Sequence, residues 1–229
     1  VSSPFPLVAI DVRVTQTIVN AVHEICEKEG RIDVLINNAG VGITGPIEEI
    51  PLEEIQNNFH TNVFGPIETM KAVLPQMRKQ KSGLIINVTS IAGYMGLPYR
   101  GIYSASKGAL ELITESIRME VKPFNIKVTN VAPGDFATDI AARRFHAPIL
   151  ENSPYKEIYG QQLATIDSHV NDGGDPIEMA LAIEKIIEGN NPKVHYKVGA
   201  FMQKFSILLK KILPDTMYEK MLMNHYNIK

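Results

Sequence analysis

Three short runs dominated by Ile, Leu and Val, at residues 32–36, 84–88 and 126–131, constrain what this chain can fold into. Each has strand length, and between them lie stretches of helical periodicity. Strands that alternate with helices argue for a parallel sheet covered by helices, an α/β class. Thr15 is a candidate N-cap for a helix that carries Ile18, Val22 and Ile25 and ends before Gly30. A second helical region starts near Pro51 and runs through Asn62, and Gly65-Pro66 is placed to break or kink it before Met70 to Gln80. A third spans about 102–122, Asp175-Pro176 opens another that reaches 188, and 194–198 reads as a last strand.

Composition agrees with one domain over 1–229: 45% of the residues are hydrophobic and 21% charged, enough to bury a sizeable core. The net charge of -2 and a pI near 6.3 give no electrostatic case for a nucleic-acid partner. The single Cys26 cannot form an internal disulfide and suits a small apolar packer in a reducing compartment. No signal peptide and no apolar span of about 18 residues is present, which points to a cytoplasmic protein and away from a membrane. The six histidines are scattered without ligand spacing, so no metal is expected. Asn87-Val88-Thr89 matches a glycosylation sequon but lies in an expected buried strand.

The chemistry concentrates in Tyr103-Ser104-Ala105-Ser106-Lys107, with Ser90 upstream at the end of the second run. Residues four apart on a helix share a face, so the Lys107 ammonium can sit beside the Tyr103 phenol. A free phenol titrates near ~10, and one cation about 4 Å away at an effective dielectric of ~20 supplies roughly the 4 kcal/mol that brings such a group to neutrality. Tyr103 could then exchange a proton with an alcohol or carbonyl oxygen while the Ser90 hydroxyl holds that oxygen. Moving hydride at the same carbon would require a nicotinamide cofactor.

Around this pair stand Asn37-Asn38-Ala39-Gly40 after the first run, Asn62-Val63-Phe64-Gly65, and Pro133-Gly134-Asp135-Phe136-Ala137-Thr138. In this order and spacing the motifs resemble the short-chain dehydrogenase/reductase family, from about Asp11 to Thr138, with a looser likeness to the end. The resemblance implies a doubly wound parallel sheet (Rossmann-like) and an NAD(P)(H)-dependent oxidoreductase that interconverts an alcohol and a carbonyl. It implies Tyr103 as acid/base, Lys107 as the group that tunes it and binds the nicotinamide ribose, and Ser90 as donor to the substrate oxygen. Asn62 matches an asparagine holding a water that links the lysine to solvent. Asn38, Ala39 and Gly40 match the segment backing the adenosine half, and Asp11 and Val12 the adenine contact. Pro133, Gly134 and Thr138 match the segment flanking the nicotinamide. A homodimer or homotetramer is also implied.

The chain departs from the family at its front, where no T-G-x-x-x-G-x-G turn occurs and 7–10 already looks like the family's third strand. About 50 residues of a strand-helix-strand unit are expected to be missing, which makes the fold N-terminally incomplete and the sequence a fragment of a longer chain. NAD and NADP are undecided, because the discriminating residues lie in that region. Gly40-Val41-Gly42-Ile43-Thr44-Gly45 fits G-x-G-x-x-G, but Pro46 follows and no long helix opens on it, so its glycines are assigned to a loop beside the cofactor.

Residues 139–175 read as an irregular loop covering the substrate, whose Phe145, Tyr155 and Tyr159 suit a lipophilic molecule or fill a small core of their own. The tail, about 200–229, carries Phe201, Phe205, Leu208, Leu209 and Ile212 at helical spacing, a stripe that would dock on its own domain or a partner subunit, with a membrane-surface helix as the lesser alternative. With Gly96-Leu97-Pro98, this ending resembles the branch that includes hydroxysteroid and retinol dehydrogenases. Two other readings are a catalytically silent fragment or cofactor sensor without the phosphate loop, and a sugar-nucleotide epimerase, disfavoured by the Asn37–Gly40 turn.

Overall fold

The runs at 84–88 and 126–131 lie at the centre of a four-stranded parallel sheet. Its members are β1 (Val34–Asn37), β3 (Gly83–Val88), β4 (Ile126–Pro133) and β6 (His195–Val198), in spatial order β1-β3-β4-β6. In this computed structural model the described residues are 4–136, 143–171 and 173–228, without the side chains of 164–171. β2 (Ile43–Thr44) and β5 (Phe145–His146) form a separate parallel pair that the sequence did not announce.

Alternate side chains of each central strand meet different layers, as strands covered on both faces require. Ile85 and Val128 pack with Met70, Val73, Leu74 and Met77, beneath α1 (Thr15–Glu29), α3 (Gly65–Gln80) and α4 (Gly101–Glu120). Leu84, Ile86 and Val131 face the other way, onto Ile186 of α6 (Ile177–Glu188). Register places Asn37, Asn87, Asn130 and His195 in one row across all four strands. Asn37 Nδ2 donates to Asn87 Oδ1 at 2.8 Å, and Asn87 Nδ2 to Thr114 Oγ1 of α4 at 2.9 Å, so the first two members of this buried row are bonded, while Asn130 Nδ2 is buried without a partner.

Five sequence expectations need correction. Residues 7–10 form no strand and Leu7 and Ile10 are exposed, because a strand exists only against a partner and β1 pairs with β3 alone among the described residues. Thr15 is the first residue of α1 and not its cap; Val14 holds that position without a side-chain bond, while Gly30, at φ 72°, ends the helix. The region after Pro51 is not simply kinked. α2 (Leu52–Phe59) passes through a π-helical turn, His60–Phe64, directly into α3. Pro66 has no N–H to give to the Asn62 carbonyl four residues back, so the α pattern cannot run through, and Gly65 N–H bonds His60 instead.

Residues 139–175 are not one irregular loop, since α5 (Lys156–Asn171) occupies much of the span and Tyr159 is buried with Ile43, Ile50 and Tyr103. Gly160 and the β-branched Thr165 weaken the helical signal there. The tail divides at Pro214 into α7 (Phe201–Ile212) and α8 (Asp215–His225). Its inward residue is Ile207, buried with Ile91, Met95 and Tyr218, while Phe201 is 72% exposed and Leu208 and Ile212 also face out. The stripe misjudged the facing because α8 folds back on α7 and covers the side that carries Ile207.

Candidate active site

The carboxyl ends of β1, β3 and β4 open into a cleft of about 960 Å³ lined by Asn38, Gly40, Ser90, Tyr103, Lys107 and Gly134, among others. Ligands bind outside the carboxyl ends of the strands in such sheets. Ser90 leaves β3 in an extended conformation and caps the 3-10 turn Ile91–Tyr94, its Oγ accepting from Ala92 N–H at 3.1 Å. That turn packs on α4 backbone to backbone. A Cβ at Gly93 would stand 3.0 Å from Gly108 N, and one at Gly108 would stand 2.9 Å from Gly93 O, so both positions require glycine.

α4 presents Tyr103 and Lys107 from one face, as the four-residue spacing requires. Lys107 is 4% exposed, and its Nζ donates to Val88 O at 3.0 Å and lies 6.0 Å from the Tyr103 ring centroid. Burial pushes the Lys107 ammonium below its ordinary range, and the charge of a Tyr103 phenolate would pull it back up. Arg100 also stands over this ring, its Cζ 5.5 Å from the centroid.

Asn62 is fully buried in the π turn and clamps the cleft floor: its Oδ1 accepts from Val41 N–H at 2.9 Å, and its Nδ2 donates to Val41 O at 2.9 Å and Ser106 Oγ at 3.1 Å. A Cβ at Gly40 would lie 3.2 Å from Lys107 Nζ and 3.4 Å from Asn62 Oδ1, so glycine keeps this floor low.

The structure thus brings Asn38, Gly40, Ser90, Tyr103, Lys107, Pro133 and Gly134 to one cleft, with Asn62 directly beneath it. Asp11, Val12 and Ala39 do not line it. The Asp11 carboxylate instead pairs with Arg13 at 2.8 Å, whose hydrogen bonds hold it at about 2, and Val12 packs against Gly65. Thr138 lies outside the described residues. Arg100 and Arg144 also line the cleft and were missed. The placing of Arg100 three residues before Tyr103 on a helix could have shown it; Arg144 arrives only through the pairing of β5 with β2, and no local signal marks it.

A second cavity of about 520 Å³ shares Ser90, Arg100, Gly134 and Asp135 with the first. Its walls are mostly apolar, with Met95, Leu97, Leu209, Met221 and Leu222 drawn from the Ser90 turn and the two tail helices. A nicotinamide dinucleotide suits the larger space, whose volume falls in the ligand range of ~300–1,000 Å³. Gly40 leaves room for close approach, and a buried ammonium points into the cleft floor.

The chain belongs to the short chain dehydrogenase family, whose model matches residues 2–148. It is an NAD(P)-dependent oxidoreductase of that family. Among similar proteins, a 3-ketodihydrosphingosine reductase of Bacteroides thetaiotaomicron is 41% identical over 224 residues, covering 97% of this chain and 83% of that protein. Retinol dehydrogenase 8 of Bos taurus is 34% identical over 186 residues, 76% of this chain and 58% of the relative, which agrees with the branch that the tail and Gly96-Leu97-Pro98 resemble. A solved short-chain dehydrogenase from Streptomyces avermitilis superposes with a TM-score of 0.77 at 29% identity, over 96% of this chain and 78% of that one.

Proposed function

We propose that the protein interconverts a secondary alcohol and a ketone on a lipophilic substrate that carries a long aliphatic arm. The observation that carries this reading is the meeting of Ser90, Tyr103 and Lys107 in one cleft, with Ser90 also in the wall of an apolar cavity. The reacting oxygen would sit between the Ser90 and Tyr103 hydroxyls, and the arm would extend past Ser90 toward Met95 and Leu222. Three methionines in that wall, Met95, Met202 and Met221, adapt to a flexible chain. The likeness to a 3-ketodihydrosphingosine reductase supports the same substrate class.

When bound, the nicotinamide supplies or accepts the hydride. Every other task falls to this chain. Ser90 donates a hydrogen bond to the substrate oxygen and orients it. Tyr103 gives its proton to that oxygen as the ketone becomes an alcohol and takes it back in the reverse direction. The Lys107 ammonium, fixed by Val88 O, favours the phenolate that remains. Asn38, Gly40, Pro133 and Gly134 would hold the cofactor. Asn62 acts by pinning residues 40–41.

The protein also assembles as a homo-oligomer through the outer face of α4. Ala105, Leu112 and Met119, each seven residues apart, form an exposed apolar line there, with Leu112 at 67% and Met119 at 69% exposure.

The test is oxidation of NADH and of NADPH in the presence of straight-chain ketones of increasing length. Turnover should improve with chain length until the cavity is filled. Tyr103→Phe should lower kcat by about a hundredfold or more. Equal turnover of short and long ketones would sink the substrate class, and normal turnover by Tyr103→Phe would sink the mechanism.

A further inference from the structure

Behind the Ser90 turn a second polar cluster joins four elements, and of its members Thr89 alone reaches the lining of a cavity. Thr89 Oγ1 donates to Glu111 Oε1 at 2.7 Å. His195 Nδ1 lies 3.4 Å from Glu111 Oε2, 3.1 Å from Asn130 Oδ1 and 3.3 Å from the Tyr94 hydroxyl, and His195 Nε2 lies 3.0 Å from Glu115 Oε1. Glu111 and Glu115 come from α4, His195 and Lys197 from β6, and Tyr94 from the turn that Ser90 caps. Lys197 Nζ stands 4.9 Å from the Tyr94 ring centroid, and Lys211 of α7 repels it. Both ring nitrogens of His195 face carboxylates, so an imidazolium gives an N–H to each and a neutral ring to only one.

The position of this cluster is what ties it to the chemistry. Glu111 is one helical turn beyond Lys107, Thr89 adjoins Ser90, and Tyr94 closes the turn after Ser90. The carboxylate of Glu111 is buried, a location that is costly unless its oxygens are bonded, and here Thr89, Tyr94 and His195 bond or face it. The Lys107 bond to Val88 O and the Thr89 bond to Glu111 therefore hold consecutive residues of the β3 end to the same helix.

We propose that Glu111 and His195 are positioning residues for the proton-transfer site. As a clasp they lock the end of β3 and the Ser90 turn to the helix that carries Tyr103 and Lys107. The inference rests on the roles assigned to those three residues above. It goes beyond them by naming what keeps the serine and the tyrosine in register.

The experiment uses the full chain with NADPH and a straight-chain methyl ketone, comparing Glu111→Ala, Glu111→Gln and His195→Gln with Val73→Ala, a buried control distant from the cleft. Displacement on the ångström scale predicts that Glu111→Ala lowers kcat by about tenfold to a hundredfold with the KM for NADPH unchanged. Glu111→Gln, which still accepts the Thr89 hydroxyl, restores most of the loss. His195→Gln, whose amide can donate to only one of the two carboxylates, lowers kcat by more than Val73→Ala with the KM for NADPH unchanged. A readout without turnover is the thermal midpoint against pH. Burial raises the Glu111 carboxyl above its unfolded value, so its contribution to stability is present at acid pH and is lost as pH rises through the raised value. Glu111→Gln removes that slope.

The proposal is overturned if either Glu111→Ala or His195→Gln costs no more kcat than Val73→Ala. Tyr103→Phe run alongside separates the two levels. If it turns over normally, the site assignment falls and the clasp with it; if it is inactive while Glu111→Ala is unimpaired, only the clasp falls.

Discussion

The Lys107 ammonium is held almost out of water, and burial alone would favour its neutral form. Its folded-state affinity for a proton is therefore lower than in the unfolded chain. For a base shifted this way, stability is fully present above the unfolded lysine value of ~10.4 and is lost as pH falls from there toward the lowered folded value. Lys107→Met should accordingly raise the thermal midpoint near neutral pH, by a margin that shrinks toward alkaline pH, while turnover collapses. A lower midpoint in calorimetry at every pH would show that the bond to Val88 O outweighs the burial cost. Tyr103, Lys107 and Ser90 were legible in the sequence because a four-residue helical spacing and a strand ending on serine are local patterns. Glu111 and His195 were not, since 84 positions of chain separate them and only strand register makes them neighbours.

Among the elements, the central strands and α4 could be read because their apolar periodicity is uninterrupted. The π turn at 60–64 could not, although Pro66 carried its cause: removal of one N–H is a local fact, but whether the helix stops or bulges depends on what Asn62 can grip. The tail shows the same limit. Apolar residues lie on more than one side of α7, and the fold-back of α8 decides that Ile207 is the anchor. Ile207→Ala should cost about 2–5 kcal/mol by denaturant unfolding, the range for removing a fully buried aliphatic side chain. The matching change at exposed Ile212 should cost far less, and equal losses would contradict the assigned facing.

For the whole molecule, the sheet places the Asn37–Asn87–Asn130–His195 row beneath α3 and α4, and leaves Leu112 and Met119 exposed on the outer face of α4. Leu112→Asp should convert the oligomer to monomer in light scattering coupled to size exclusion, with the thermal midpoint of the monomer little changed. Wild-type protein that is monomeric at micromolar concentration would remove that expectation. Among the described residues no helix is long and apolar enough to cross a membrane. The sequence by itself determined the alternation of strands and helices and the shared face of Tyr103 and Lys107, because both follow from periodicities within a few residues. Tertiary structure alone decided which strands neighbour one another, which side of the tail is buried, and which distant carboxylates meet His195. Those outcomes depend on register and on packing between segments far apart in the chain, and no local pattern encodes either.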